Sequence, residues 1–462
     1  MKSNLSKYKV LFINPRDLSV PTPYVKTTTH AALLLENRIS CNIIEPKASS
    51  LLHKNIVELI ILNETKIVCI SAFPSTLPDA YATIKQIKKE CKNVILVLEG
   101  YMVNADPKAV KELDTDFGIY GDSEFTFLNL CKSIIDNKQI DTRMEGLIIN
   151  EPILVVNKRA QINNINLLPD PAFHLLPIGK YYSASTNKKY MILFTDRGCP
   201  YNCNFCASPA QMKYRTLDTD RVVKQISHLV NELGVGWVEF MDLTFTINRK
   251  RVIEICKKII NAEINFDWAC ETRADLLDDE LLDWMKKAGC TKITIGVESG
   301  NEALRYATGK KIKNHIFEEV FLNCKRKGIK VMANYIIGHP NETFSSAWET
   351  ISSSIKLNPF NVLFTKMIPL PDVDIFKILV SKNELDPNIW YKYMKGKVPF
   401  PVYYPKEIGK LKMELIYRLA YIKFYLRFSS FMKYGHLMRD RAFFKHSIGV
   451  WLRFVFGSTI YK

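Results

Sequence analysis

Three cysteines, Cys199, Cys203 and Cys206, stand four and three residues apart in the stretch Phe194-Thr-Asp-Arg-Gly-Cys-Pro-Tyr-Asn-Cys-Asn-Phe-Cys206. An apolar run over residues 190–194 leads into a loop carrying Gly198 and Pro200, and the thiols follow. Thiolates are soft ligands that suit iron–sulfur clusters. Three of them can hold three irons of a four-iron cluster and leave the fourth open to a substrate-like ligand. The alternative is a zinc knuckle or three thiols that are merely buried. Zinc sites, however, usually offer four ligands in paired short spacings.

The CxxxCxxC spacing, with Phe205 just before the last cysteine, resembles the radical S-adenosylmethionine (SAM) superfamily. That resemblance implies a [4Fe–4S] cluster on Cys199, Cys203 and Cys206. It also implies SAM chelated at the open iron through its amino and carboxylate groups, and an electron that cleaves it to a 5′-deoxyadenosyl radical. An electron donor such as flavodoxin or ferredoxin is then an implied partner.

The chain must hold that loop in a defined frame. At 462 residues it is too long for one ordinary core, and two or three domains are expected. Composition is globular, 47% hydrophobic and 24% charged, with no repeat or low-complexity tract. The eleven cysteines are an odd number, and the first residues contain no apolar leader segment. Reduced thiols in the cytoplasm are therefore expected, as an oxygen-sensitive cluster would need. No apolar run is long enough to span a bilayer. A net charge of +17 raises nucleic acid or an anionic membrane as partners, so its location matters.

Over residues 1–150, apolar strands at 9–15, 41–45, 67–72, 94–100 and 117–121 alternate with helical patterns. Such alternation predicts an α/β fold, a doubly wound parallel sheet with ligands outside its carboxyl strand ends. The layout resembles the Rossmann-like cobalamin-binding domain that precedes the core in one radical SAM subclass. Pro15, Ser71, Gly100, Gly121 and Glu124 match its strand-end residues, and by that resemblance they would contact cobalamin. Glu99 replaces the first glycine of a usual pair, where its side chain is expected to crowd the cofactor, and Asp122-Ser123 replace a middle pair. No Asp-x-His-x-x-Gly sequence offers a histidine ligand to cobalt. A degenerate flavodoxin-like domain that only packs is the other reading.

Residues 151–187, with Leu168-Pro-Asp-Pro-Ala172, read as a Pro-punctuated linker. Residues 188–370 then hold six βα units, with strands at 190–194, 237–242, 266–270, 292–298, 330–338 and 362–368. A partial (β/α)6 barrel is expected, its chemistry at the strand carboxyl ends. The resemblance places SAM contacts on Phe205, Asp242, Arg273, Glu298, Ser299 and Gly338, with Arg273 facing the SAM carboxylate.

Residues 371–462 are expected to form a mainly helical, basic, aromatic tail. From Pro401 onward twelve Lys or Arg face three acids, a balance of +9. A helix over 408–428 would carry Leu411, Leu415, Leu419, Ile422 and Tyr425 on one face. Such a helix can lie on an anionic membrane, or cap the barrel with that same face. Nucleic acid is the least supported partner, since no known RNA-binding module is appended.

The family implies a radical SAM enzyme, dependent on cobalamin, that methylates an unactivated carbon of a small-molecule or lipid-like substrate. Within the family, a cyclase, rearranging or oxidative enzyme without net methyl transfer is the rival. A non-catalytic remnant that binds cobalamin or a partner is the second. The expected location is cytoplasmic, with peripheral contact at the inner face of the membrane.

Overall fold

The computed structural model of the chain describes residues 7–16, 23–183, 186–207 and 213–427. Its first layer is a seven-stranded sheet of β1 (Val10–Ile13), β2 (Cys41–Ile44), β3 (Ile67–Ser71), β4 (Ile95–Glu99), β5 (Phe117–Ile119), β6 (Leu147–Ile149) and β7 (Val155–Val156). The spatial order is β2-β1-β3-β4-β5-β6-β7, parallel through β5. Continuous apolar runs such as Ile67-Val-Cys-Ile70 suit strands buried on both faces. Val10 and Phe12 pack into one core, Leu11 and Ile13 into the other. Helices Lys26–Glu36 and Glu124–Ile135 cover one side, and His53–Asn63 and Leu77–Glu90 the other.

Two differences from expectation concern boundaries. β6 runs antiparallel to β5, and β7 antiparallel to β6, so the sheet extends past residue 150. A bridge from Gly121 to Ala160 continues it, and the expected linker therefore begins inside the first domain. Short strands at an exposed edge leave little periodicity to read.

The second layer is a six-stranded parallel sheet of β8 (Tyr190–Leu193), β11 (Trp237–Phe240), β12 (Asp267–Thr272), β13 (Cys290–Glu298), β14 (Lys330–Ile337) and β15 (Asn361–Lys366). They follow in sequence order, with β8 and β15 as the unpaired edges, which makes the barrel partial. Between β8 and β11 a ribbon pairs β9 (Asp196–Arg197) with β10 (Arg215–Thr216), bracketing the cysteine loop.

The helix Lys410–Tyr425 docks on the helix Phe344–Leu357 and on β15. Its buried face is Met413, Ile416, Ala420 and Phe424, not the expected leucine stripe. Leu411 is 86% and Leu415 54% exposed. This helix has apolar residues on two opposite sides, and the side with Met413 and Phe424 is the one that meets the barrel. Phe428 and the later tail aromatics lie outside the described residues. Trp390, Tyr391, Met394 and Phe400 pack into a core of the first domain, so the C-terminal region straps both domains together. Among the described residues no helix is long and apolar enough to cross a membrane.

Candidate functional site

The cysteine loop leaves the carboxyl end of β8 and is fixed at its root. Asp242, 1% exposed, accepts hydrogen bonds from the Thr195 amide and hydroxyl, both at 2.6 Å, and from the Asp196 amide at 2.9 Å. Arg251 donates to the Thr195 and Leu217 carbonyls at 2.9 and 3.0 Å. Asp242, expected beside SAM, thus has both oxygens engaged in holding this loop. Cys199 is buried with Sγ 3.7 Å from the Thr244 hydroxyl, while Cys203 and Cys206 line an open cavity. The Cys206 amide donates to the Cys203 carbonyl at 3.0 Å. Gly309, at φ +83°, touches the loop closely; a Cβ there would sit 2.5 Å from the Asn202 carbonyl.

All three thiols are free of disulfides. Among the described residues no three His, Cys, Asp or Glu side chains converge as one metal ion requires. Three soft thiol ligands on one loop suit the irons of a cluster.

Across the barrel mouth, Glu298 ends β13 with φ +65°, a left-handed conformation that a glutamate holds only under constraint. Its Oε1 accepts from Lys310 Nζ at 2.8 Å, and both residues are nearly sealed from water. Gly296 leaves the room: a Cβ there would meet Glu298 Oε1 at 2.1 Å and Lys310 Nζ at 2.6 Å. The Ser299 hydroxyl lies 3.2 Å from that of Thr350, and Arg305, fully buried, donates to the Ser299 carbonyl at 2.6 Å. Both therefore support the turn.

Arg273 donates to Asp275 at 3.0 and 2.8 Å and stacks 3.8 Å over the Tyr201 ring of the cysteine loop. Its Nη1 is buried without a partner, a donor suited to a carboxylate such as that of SAM. Gly338 and His339 donate their amides to Glu342, which shapes the loop expected beside SAM. His339 is buried beside Glu298, and its ring meets Phe205 edge-on at 6.2 Å. Burial pushes its pKa down to about 4.

A cavity of about 610 Å³ separates the two sheets, lined by Gly100, Tyr101, Asn104, Gly121 and Arg159 on one side and Asp196, Cys203 and Cys206 on the other. That volume is within the range of cofactor sites. Of the residues expected at cobalamin, Gly100 and Gly121 line this cavity, whereas Pro15, Ser71 and Glu124 do not. Glu99 does not crowd it. Its carboxylate turns inward, 1% exposed, and accepts from the Ser71 hydroxyl at 2.6 Å. Glu124 is likewise sealed off and bound to Arg197. The glycine-floored side of the cavity, with the unpartnered Nε of Arg159, fits a large cofactor bearing acceptor groups.

Sequence reasoning missed Lys310, Arg305, His339 and Asp196. The Asp196 carboxyl is buried and faces the cavity, beside Asp242 and Tyr214. Burial first, and Asp242 second, push its pKa up. Lys310 carried one signal, its place after Gly309 in a loop; the others became visible only through tertiary neighbours.

Residues 194–353 match the family model of the Radical SAM superfamily. The chain is 29% identical over 435 residues to an uncharacterized methyltransferase of Pyrococcus horikoshii, covering 91% of this chain and 93% of that protein. It is 27% identical to an anaerobic magnesium-protoporphyrin IX monomethyl ester cyclase of Rubrivivax gelatinosus, over 69% of this chain and 59% of that longer protein. In fold it is similar to the radical SAM methyltransferase TsrM of Kitasatospora setae, solved with cobalamin and a [4Fe–4S] cluster. The TM-score is 0.77 at 15% identity, covering 90% of this chain and 91% of that one. The chain thus carries a segment, residues 194–353, that matches the Radical SAM superfamily, set behind an N-terminal α/β domain in a fold similar to that of TsrM.

Proposed function

We propose that this chain is a cobalamin-dependent radical SAM methyltransferase acting on an unactivated carbon of a small-molecule or lipid-like substrate. The observation that carries the reading is the single cavity into which Cys203 and Cys206 open from the core and Gly100 and Gly121 open from the first domain. Cys199, Cys203 and Cys206 would hold the cluster. Arg273 Nη1 would receive the SAM carboxylate, and Glu298, set by Lys310, would accept from the SAM ammonium or ribose hydroxyls. Gly100, Gly121, Asn104 and Arg159 would floor the corrinoid. When bound, the cluster and SAM supply a carbon-centred radical and cobalamin a transferable methyl group. The residues of this chain bind, orient and exclude water; the apolar wall of Phe73, Leu193, Phe194 and Val373 favours a substrate with much carbon surface.

The test is anaerobic reconstitution followed by measurement of iron, 5′-deoxyadenosine and hydroxocobalamin binding. Iron with 5′-deoxyadenosine but no retained corrinoid would leave a cobalamin-free radical enzyme. The similarity to a magnesium-protoporphyrin IX monomethyl ester cyclase favours a second reading, radical chemistry without net methyl transfer. Product mass separates them, since only methylation adds one methylene unit.

Peripheral contact with an anionic membrane belongs to the same reading. Leu411, Leu415 and Leu426 stand exposed on the outer side of the helix Lys410–Tyr425 and its end, with Lys410, Lys412, Arg418 and Lys423 also exposed. Apolar side chains among cations suit the interface of an anionic bilayer.

A further inference from the structure

Arg197 and Arg215 face one another across the β9–β10 ribbon, at either end of the segment that carries the cysteines. Two like charges directly opposite repel, so such a pairing persists only where something neutralises it. Here the neutralising groups come from the other domain. Asp122, 3% exposed, receives Arg197 Nη1 on Oδ1 at 2.9 Å and Arg215 Nη1 on Oδ2. The same Oδ2 accepts the Ile162 amide at 2.9 Å, and Arg215 also donates to the Ile162 carbonyl. Glu124, 1% exposed, receives Arg197 Nη2 on Oε1. Burial alone would push the Glu124 carboxyl up, but Arg197, then His30 and Lys26, outweigh it and hold it near 2.

Two arginines and two carboxylates thus neutralise one another, Asp122, Glu124 and Arg215 buried and Arg197 half-buried, with charge-assisted bonds fixed in direction by the guanidinium planes. Arg197 precedes the first cysteine by two residues. Asp122, Arg197, Gly198 and Gly121 also form part of the wall of the cavity that Cys203 and Cys206 enter.

We infer that Asp122 and Glu124 are positioning residues for the cysteine loop, locking both ends of it to the first domain through Arg197 and Arg215, rather than contacts to a corrinoid. The turn of residues 121–124, which resembles a cofactor motif, serves here as the clamp that sets the cluster's place relative to the floor at Gly100 and Gly121. This inference rests on the radical SAM reading for the cluster but not on the binding of cobalamin.

The experiment uses the full chain, anaerobically reconstituted, as wild type, E124Q, R197Q and R197K. Three quantities are read: the electron paramagnetic resonance spectrum of the reduced cluster with and without SAM, hydroxocobalamin affinity, and amide exchange of the 195–207 peptides before reconstitution. For E124Q and R197Q the clamp predicts an altered cluster spectrum, at least tenfold faster exchange in 195–207, and hydroxocobalamin affinity within about twofold of wild type. R197K, which keeps the charge, should recover part of the spectrum. A tenfold loss of hydroxocobalamin affinity in E124Q with the wild-type spectrum and exchange would overturn it and make Glu124 a cofactor contact. Unchanged spectra and exchange in both E124Q and R197K would overturn it too. Should R197Q not fold, E124Q and R197K decide alone. A wild type that retains no corrinoid counts against the proposed function, and the spectra and exchange still decide the clamp.

Discussion

Lys310 Nζ lies 2.8 Å from Glu298 Oε1, at a site where a glycine, Gly296, gives both groups their space. The ammonium orients a carboxylate whose backbone is already constrained at φ +65°. A carboxylate so placed is fixed before a ligand arrives, which would strengthen the hydrogen bonds to SAM that the proposed function gives it.

Removing either member has a different outcome. Glu298→Gln keeps the shape and should weaken SAM binding by about 1–3 kcal/mol with iron content unchanged. Lys310→Met leaves a buried carboxylate unpaired, and should lower stability by roughly 3–5 kcal/mol as well as SAM affinity. Equilibrium dialysis with SAM and urea midpoints measure both. Unaltered SAM affinity in Glu298→Gln would reduce Glu298 to a turn residue.

Replacement of Cys199, Cys203 or Cys206 by Ala removes a thiol that no other cysteine of the 190–255 stretch can replace. Each variant should lose most of its iron and all SAM cleavage on reconstitution. A variant that keeps full iron and still releases 5′-deoxyadenosine would contradict the cluster assignment.

Much of this frame was legible in the sequence because its signals are local. Six buried apolar runs with helices between them dictate a parallel sheet, and the cysteine spacing marks its chemical end. What escaped is tertiary. No pattern says that Glu99 folds inward onto Ser71, 28 residues away, or that Glu124 meets Arg197, 73 residues on. The helix Lys410–Tyr425 shows the limit of periodicity itself. Its leucine stripe and its Met413–Phe424 side are both apolar, and only the barrel surface decides which one is covered.

The neutral imidazole of His339 gives a pH signature. Burial lowers its folded pKa from 6.5 to about 4, so between those values the unfolded chain binds a proton that the folded one refuses. Stability from this group is complete above pH 6.5 and falls as pH drops toward 4, by on the order of 3 kcal/mol. Burial raises the Glu45 and Glu342 carboxyls to about 7, with the opposite slope over part of the range. The readout is therefore the difference between wild type and His339→Asn. Urea midpoints from pH 7.5 to 4 should converge as pH falls; parallel curves would mean that His339 titrates normally.

The helix Lys410–Tyr425 separates packing from membrane contact. Phe424 is fully buried, and Tyr421 Oη both receives the Phe364 amide at 3.1 Å and donates to its carbonyl at 2.8 Å. Phe424→Ala should therefore cost about 3–5 kcal/mol of stability. Leu411 and Leu415 face away from this contact, so a Leu411→Glu/Leu415→Glu double variant should keep its urea midpoint to within about 0.5 kcal/mol. Each cation near an anionic surface contributes about 1 kcal/mol, so under the proposed membrane reading Lys410, Lys412, Arg418 and Lys423 together would suffice for recruitment. Wild type should co-sediment with phosphatidylserine-containing vesicles at low salt, less at high salt, and not with neutral ones. The double variant should lose that binding while still folded. A well-folded wild type that ignores anionic vesicles at low salt would end the membrane reading and leave the helix as a cap on the barrel.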